Sequence, residues 1–227
     1  MFRPKLALLE SEYSATYALR YAVERCDADY KILSESTLYS KALNFDDIGA
    51  LIIADVPFNM NSDGSRNDIL GNTYDDSVVS LVKHALTLDL PILAVGRGLE
   101  LLNIVFGGKA SVGISDHSSV EEQSAIHQIY ISPGSKLAAV VGSGGFVRVN
   151  SRHELGIREA QKSQLLLASA YSLEDGVIEA LESPAHKWVI GVQFRPDLSM
   201  ELPPHFQRLF QSLVERSTEY LRGVKTE

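Results

Sequence analysis

Pro91-Ile92-Leu93-Ala94-Val95-Gly96-Arg97-Gly98-Leu99-Glu100-Leu101-Leu102-Asn103-Ile104-Val105-Phe106-Gly107-Gly108 runs from a short apolar segment into a helix-period pattern through a glycine-flanked turn. A buried strand, a sharp bend and a helix are the reading. In a nucleophile elbow, such a bend lifts one reactive side chain above the sheet, and the helix N-terminus and nearby backbone N–H groups stabilise an oxyanion. Here the apex is Gly96. Glycine accepts the strained backbone of the bend, but it carries nothing that could attack a carbonyl.

On the N-terminal side, the pattern alternates strands with helices. Lys5–Leu9 reads as a strand, Ser14–Cys26 as a helix with Ala15, Leu19, Ala22 and Cys26 on one side, and Tyr30–Leu33 as a strand. Gly49–Ala54 is an apolar run of the kind buried on both faces of a parallel sheet. The polar segment Asn59–Asn72 follows a strand, and is either a lid or a solvated connector. Thr73–Asp89 then reads as an amphipathic helix with Val78, Val79, Val82, Ala85 and Leu86 inward.

Beyond Gly107-Gly108 the texture changes to short strands: Ile126–Ile131, Phe146–Val149, Leu165–Ala170, Val177–Leu181 and Trp188–Val192. They predict a mixed or antiparallel extension of the sheet. Gly142-Ser143-Gly144-Gly145 has no Lys-Ser/Thr after it, so it reads as a hairpin turn rather than a phosphate loop. Pro203-Pro204 opens a last helix whose apolar side holds Phe206, Leu209, Phe210, Leu213 and Val214. The whole is an α/β chain with a mostly parallel central sheet, helices on both faces and an antiparallel extension. With no repeat and no linker-like stretch, residues 1–227 are expected to form a single domain.

Bulk properties narrow the function. A formal net charge of -8 and the lack of a Lys/Arg run argue against nucleic acid as a partner. The apolar run Leu6–Leu9 is too short for a signal-peptide core or a membrane span. The single Cys26 rules out an internal disulfide, and a reducing, cytoplasmic setting is expected. His84, His117, His127, His186 and His205 are scattered in sequence without ligand spacing, so neither a metal nor a cofactor is expected.

Four segments, in order, resemble the class I glutamine amidotransferase-like proteins, and among them the γ-glutamyl-GABA hydrolase-like branch. The elbow resembles P-[IV]-L-G-[IV]-C-R-G-x-Q-x-[LI]-N-x-x-x-G-G. His127-Gln128-Ile129-Tyr130-Ile131-Ser132-Pro133-Gly134-Ser135-Lys136-Leu137 is similar to H-x-[VI]-x-[IL]-x-P-G-S-x-L, and Val149-Asn150-Ser151-Arg152-His153 to V-N-S-x-H. Gly191-Val192-Gln193-Phe194-Arg195-Pro196-Asp197 is similar to G-V-Q-[WF]-H-P-E, which holds the triad histidine and glutamate. The resemblance covers essentially the whole chain and implies the flavodoxin-like fold of that family, with cysteine-dependent hydrolysis of γ-glutamyl amides as the family activity.

The departures fall on the chemistry. By motif position, Gly96 occupies the nucleophile slot, Arg195 the histidine slot and Asp197 the glutamate slot. Arginine stays protonated, so Arg195 cannot serve as a base, and Asp197 is left with no histidine to orient. Where the family has P-G-G near its oxyanion, this chain has Ala54-Asp55-Val56, an anion where one would oppose catalysis. Loss of amide hydrolysis is the expectation. Cys26 is remote from the turn and reads as a small core residue.

Arg97, Gly98, Asn150, His153, Arg195 and Asp55 remain candidates for a ligand site. Either the arginines grip an anionic, glutamate-like small molecule, or Arg195 pairs with Asp55 or Asp197 and fills the cavity. His153 reads equally as a site residue and as a structural histidine. A homodimer or a synthase-type protein partner is a further expectation, allowed by the resemblance.

Overall fold

The computed structural model describes residues 2–10, 17–34, 45–54, 74–118 and 124–224. The segment 59–72 and Asp55 lie outside the described residues. Strands β1 (Lys5–Leu9), β2 (Asp29–Leu33), β3 (Ile48–Ile53) and β4 (Ile92–Val95) alternate with helices α1 (Tyr17–Glu24) and α2 (Asp76–Thr87). Helix α3 (Arg97–Val105) leaves β4 directly. Then come β5 (Val112–Gly113), β6 (Ala125–Ile131), α4 (Lys136–Val141), β7 (Gly145–Ser151), β8 (Leu155–Gly156), β9 (Leu167–Ser172), β10 (Ile178–Glu182) and β11 (Val189–Val192). A 3-10 turn at Pro204–Gln207 leads into the last helix, α5 (Arg208–Val224).

One nine-stranded sheet runs in the order β2-β1-β3-β4-β11-β10-β9-β6-β7, and β5 pairs separately with β8. β2, β1, β3, β4 and β11 are mutually parallel, while the pairings from β11 through β10, β9 and β6 to β7 are antiparallel. The parallel core and its antiparallel extension therefore match the sequence reading, with β11 joining the parallel half beside β4.

Alternation along the central strands explains why both faces are covered. Leu6, Leu8, Ala50, Ile52, Leu93 and Val95 share one core with α1 and α5. Ala7, Leu9, Leu51, Ile53, Ile92 and Ala94 share the other with α2 and α3. A strand buried on both sides has to be apolar at every position, and β3 and β4 are. Asp75 caps α2, its carboxylate accepting from the Ser77 N–H at 2.7 Å.

The stretch Gly142–Gly145 is not a hairpin turn. Residues 136–141 form helix α4, capped by Ser135 at its start, and Gly142 closes it in the left-handed conformation at φ 89° before β7 begins. Pro133-Gly134-Ser135 had the chemistry of a helix start, but six residues are too few for a periodicity to show. Among the described residues, no helix is long and apolar enough to cross a membrane.

Candidate functional site

Gly96 stands between β4 and α3 with φ 57° and ψ -118°, a backbone state costly for any residue with a Cβ. Its N–H donates to the Val192 carbonyl at 2.9 Å, which ties the bend to the end of β11. Gly98 does not face the cleft. A Cβ there would lie 2.1 Å from the Ile53 carbonyl oxygen, so this glycine lets the first turn of α3 press against β3. Asn103, fully buried, donates to the carbonyls of Lys109 and Gln161 and accepts from the Ser163 N–H. Gly108 packs on that same amide, so the second half of the quoted stretch is an anchor for α3.

Arg195 follows β11 and is fixed through its backbone. Its N–H donates to Asn150 Oδ1 at 2.8 Å, and its carbonyl accepts from Asn150 Nδ2 at 3.1 Å. Asn150, fully buried, thus positions Arg195 from beneath. The Arg195 guanidinium meets Asp197 in a fork, Nε to Oδ1 at 2.9 Å and Nη2 to Oδ2 at 2.6 Å. Asp197 therefore does have a group to hold. Its side chain is fully covered, while 30% of the Arg195 side chain remains exposed. A Cβ placed on Gly96 would have Arg195 Cδ, at 3.9 Å, as its nearest neighbour. The three slots of the resembled triad converge in space.

The pairing of Arg195 with Asp197 leaves a cleft of about 360 Å³ beside it, lined by Gly96, Arg97, Glu100, His153, Gln193 and Arg195 among others. Arg152 and Glu154 also border it. Arg97 at the first position of α3 puts a cation where the helix dipole is already positive, an arrangement that favours an anion close by. Cys26 is absent from the lining; burial pushes its thiol up, the opposite of an activated nucleophile. A larger groove of about 1350 Å³ lies between α5 and the segment around Trp188, and none of the site residues named above line it.

The histidines are not all scattered in space, which corrects the sequence reading. His117 follows β5, His127 sits on β6 and His153 follows β7, and their imidazoles meet around Glu179 of β10. Glu179 is completely buried. Burial alone would raise its carboxyl pKa, but the three imidazoles reverse that and hold it well below the usual carboxylate range. For His117, burial works against the charged form, yet Glu179 and Asp175 outweigh it and raise the imidazole above its ordinary value. Sequence spacing could not show the cluster, because its members come from four separate segments. His127 and His153 did stand inside family-like segments, and that was the available signal.

The Peptidase C26 profile matches residues 57–197, more than half of the chain. A Schizosaccharomyces pombe protein named as a glutamine amidotransferase is 32% identical over 155 residues, covering 65% of this chain and 59% of that protein. Across three such relatives, the chain spans 45% to 66% of their length. Among solved structures, a Thermoplasma acidophilum protein described as part of a GMP synthase superposes with a TM-score of 0.72 at 16% identity, covering 100% of both chains. Thermotoga maritima PurLQS superposes with a TM-score of 0.68 at 14% identity, covering 94% of this chain and 99% of that one. The elbow frame, the sheet order and the matched profile lead to one assignment: the chain belongs to the Peptidase C26 family of class I glutamine amidotransferase-like proteins.

Proposed function

We propose that this chain does not hydrolyse γ-glutamyl amides by its family's cysteine route and that its cleft binds a small carboxylate-bearing, glutamate-like molecule. The observation that carries the reading is the fork between Arg195 and Asp197 beside Gly96. A thiolate, a neutral imidazole and an orienting carboxylate are the parts amide hydrolysis needs, and this cleft presents a bare glycine and a cation locked to its acid. Recognition falls to the other arginine. Arginine donates in a planar fork that matches a carboxylate, and Arg97 lines the same cleft beside the N-terminus of α3.

The test pairs two measurements on the purified chain. Release of ammonia from glutamine or of amine from γ-glutamyl amides is expected to stay at the level of a Gly96→Ala control. Glutamate is expected to raise the melting temperature, and Arg97→Ala is expected to remove that rise. Turnover above the control sinks the first half of the proposal, and a melting temperature indifferent to glutamate and related dicarboxylates sinks the second.

A second reading comes from the name of one structural neighbour, described as a GMP synthase subunit. In that reading the chain acts as a non-catalytic component of a complex or as a homodimer. Sedimentation across a concentration series, with and without extract from the native host, separates the readings: a mass fixed at the monomer in both excludes the second.

A further inference from the structure

Three imidazoles and one carboxylate converge in the interior beside the cleft. Ligand atoms of His117, His127 and Glu179 all lie within 4.8 Å of one another, and all three residues are buried. Around Glu179 Oε1 stand His127 Nε2 at 3.2 Å, His117 Nδ1 at 3.4 Å and His153 Nε2 at 3.6 Å. His117 Nδ1 and His153 Nε2 are 3.2 Å apart.

These distances have a meaning beyond close packing. With metal–ligand bonds of about 2.0–2.2 Å, the edges of a tetrahedral zinc site are about 3.3–3.6 Å. The separations of His127 Nε2 and His117 Nδ1 from Glu179 Oε1, 3.2 and 3.4 Å, lie close to that edge length. Hydrogen bonding accounts for part of the arrangement only: His117 Nδ1 and His153 Nε2 share a hydrogen bond, and Ser151 Oγ lies 3.4 Å from His117 Nδ1. Both carboxylate oxygens of Glu179 and both ring nitrogens of His127, by contrast, are buried without a hydrogen-bond partner. A fully buried carboxylate in that condition is costly unless a cation serves it.

Two of the three imidazoles, those of His117 and His153, have outer contacts of the kind a ligand makes. A metal-bound imidazole normally gives its second ring nitrogen to a carboxylate or a backbone carbonyl. His153 has Nδ1 at 2.8 Å from the Leu155 carbonyl. His117 has Nε2 at 3.4 Å from Asp175 Oδ1, and Asp175 is itself held by Arg158 Nη2 at 3.2 Å. The other nitrogens, Nε2 of His153 and Nδ1 of His117, meet each other as well as Glu179.

We propose that His117, His127 and Glu179 form a zinc-type transition-metal site, with His153 packed beside it. Imidazole nitrogen with one carboxylate is a donor set that zinc accepts. Its position gives it a task. It fastens the segment carrying His117, which continues into the cleft-lining Ser118, to strands β6 and β10. The metal would hold one wall of the cleft in place.

The test is metal content on the full chain produced in zinc-supplemented medium and exhaustively dialysed. One equivalent of zinc per chain is expected, with a fall in melting temperature on chelation. Replacement by cobalt(II) is expected to give the intense visible bands of tetrahedral coordination. His127→Gln and Glu179→Gln are expected to lose the metal, and His84→Ala, on an exposed position of α2, to keep it. Asp175→Asn, which removes only an outer contact, is expected to weaken zinc binding by roughly 10–100-fold. If the cluster variants fail to fold, the unsubstituted chain still decides. Substoichiometric zinc after dialysis, with no tetrahedral cobalt spectrum, overturns the proposal and leaves a cluster balanced by protons. Zinc retained equally by folded His127→Gln and Glu179→Gln also overturns it.

Discussion

Arg195 grips Asp197 through two parallel hydrogen bonds, 2.9 and 2.6 Å long, across a gap of one residue. Only the arginine side of the pair reaches the cleft, since the aspartate side chain is fully covered. Removing the arginine alone strands a buried carboxylate, whereas removing both leaves no charge to satisfy. Breaking a sealed pair from one side costs about 3–5 kcal/mol; partial exposure of Arg195 reduces that, so Arg195→Ala is expected to cost about 2–3 kcal/mol. Urea unfolding is the measurement, and Arg195→Ala/Asp197→Ala is expected to lose less than the sum of the two single variants. Strict additivity would mean that the fork contributes nothing to folding.

Gly96→Cys restores the family's nucleophile to a bend that still has room for it, because the nearest atom to a new Cβ is 3.9 Å away. The cost is the backbone, at φ 57° and ψ -118°, where a side-chain-bearing residue is strained by about 1–3 kcal/mol. The new thiol would stand beside a guanidinium at the N-terminus of α3, and both favour the thiolate. Alkylation by iodoacetamide is expected to run faster than that of a free thiol at neutral pH, while amide hydrolysis stays absent for want of a base. Slow alkylation would place the guanidinium too far from the apex to act on it.

Gly98→Ala tests the closeness of α3 to β3. The added Cβ would meet the Ile53 carbonyl oxygen at 2.1 Å, and that atom is backbone in the middle of a buried sheet. Neither partner can turn away as a flexible side chain would. Overpacking of this kind costs about 1–3 kcal/mol, and the rigid contact puts Gly98→Ala at the upper end. Gly107→Ala is the comparison, since its Cβ would meet nothing within 4 Å and only its φ of 83° is strained. Equal thermal shifts in the two variants would refute the close approach.

The fold was legible because its signals are local. Apolar runs such as Gly49–Ala54 and Pro91–Val95 announce doubly covered strands, and the glycine-flanked bend announces the elbow. The convergence of Gly96, Arg195 and Asp197 was also legible, because motif order places the three together. The details that need three dimensions were not. Whether Arg195 would pair with Asp55 or Asp197 depended on rotamers. Gly98 and Asn150 looked like ligand residues because they stand in site motifs, yet close packing on Ile53 and support of the Arg195 backbone occupy them. The histidine cluster draws on residues 117, 127, 153 and 179, and the antiparallel pairing of β7, β6, β9 and β10 is what brings the last three of these segments together.

Glu201 links the Asn150 that supports Arg195 to the rim of the cleft, and this gives a pH dependence. Its carboxylate accepts from Ser124 Oγ at 2.6 Å and Asn150 Nδ2 at 2.9 Å, and meets Arg152 Nη2 at 2.9 Å. Burial raises its pKa, but the Ser124 and Asn150 hydrogen bonds and the Arg152 charge outweigh that, leaving it below the ordinary glutamate value of 4.5. The unfolded chain therefore takes up this proton at a higher pH than the folded one. The stabilisation is complete above the unfolded value and drains away as pH falls through the lowered folded value. Denaturant midpoints measured from pH 7 downward are expected to fall less steeply in Glu201→Gln than in the unsubstituted chain, once pH drops below 4.5. Parallel curves for the two proteins would show that Glu201 keeps its ordinary affinity for protons, and that the contacts to Asn150 and Arg152 do not favour its charged form.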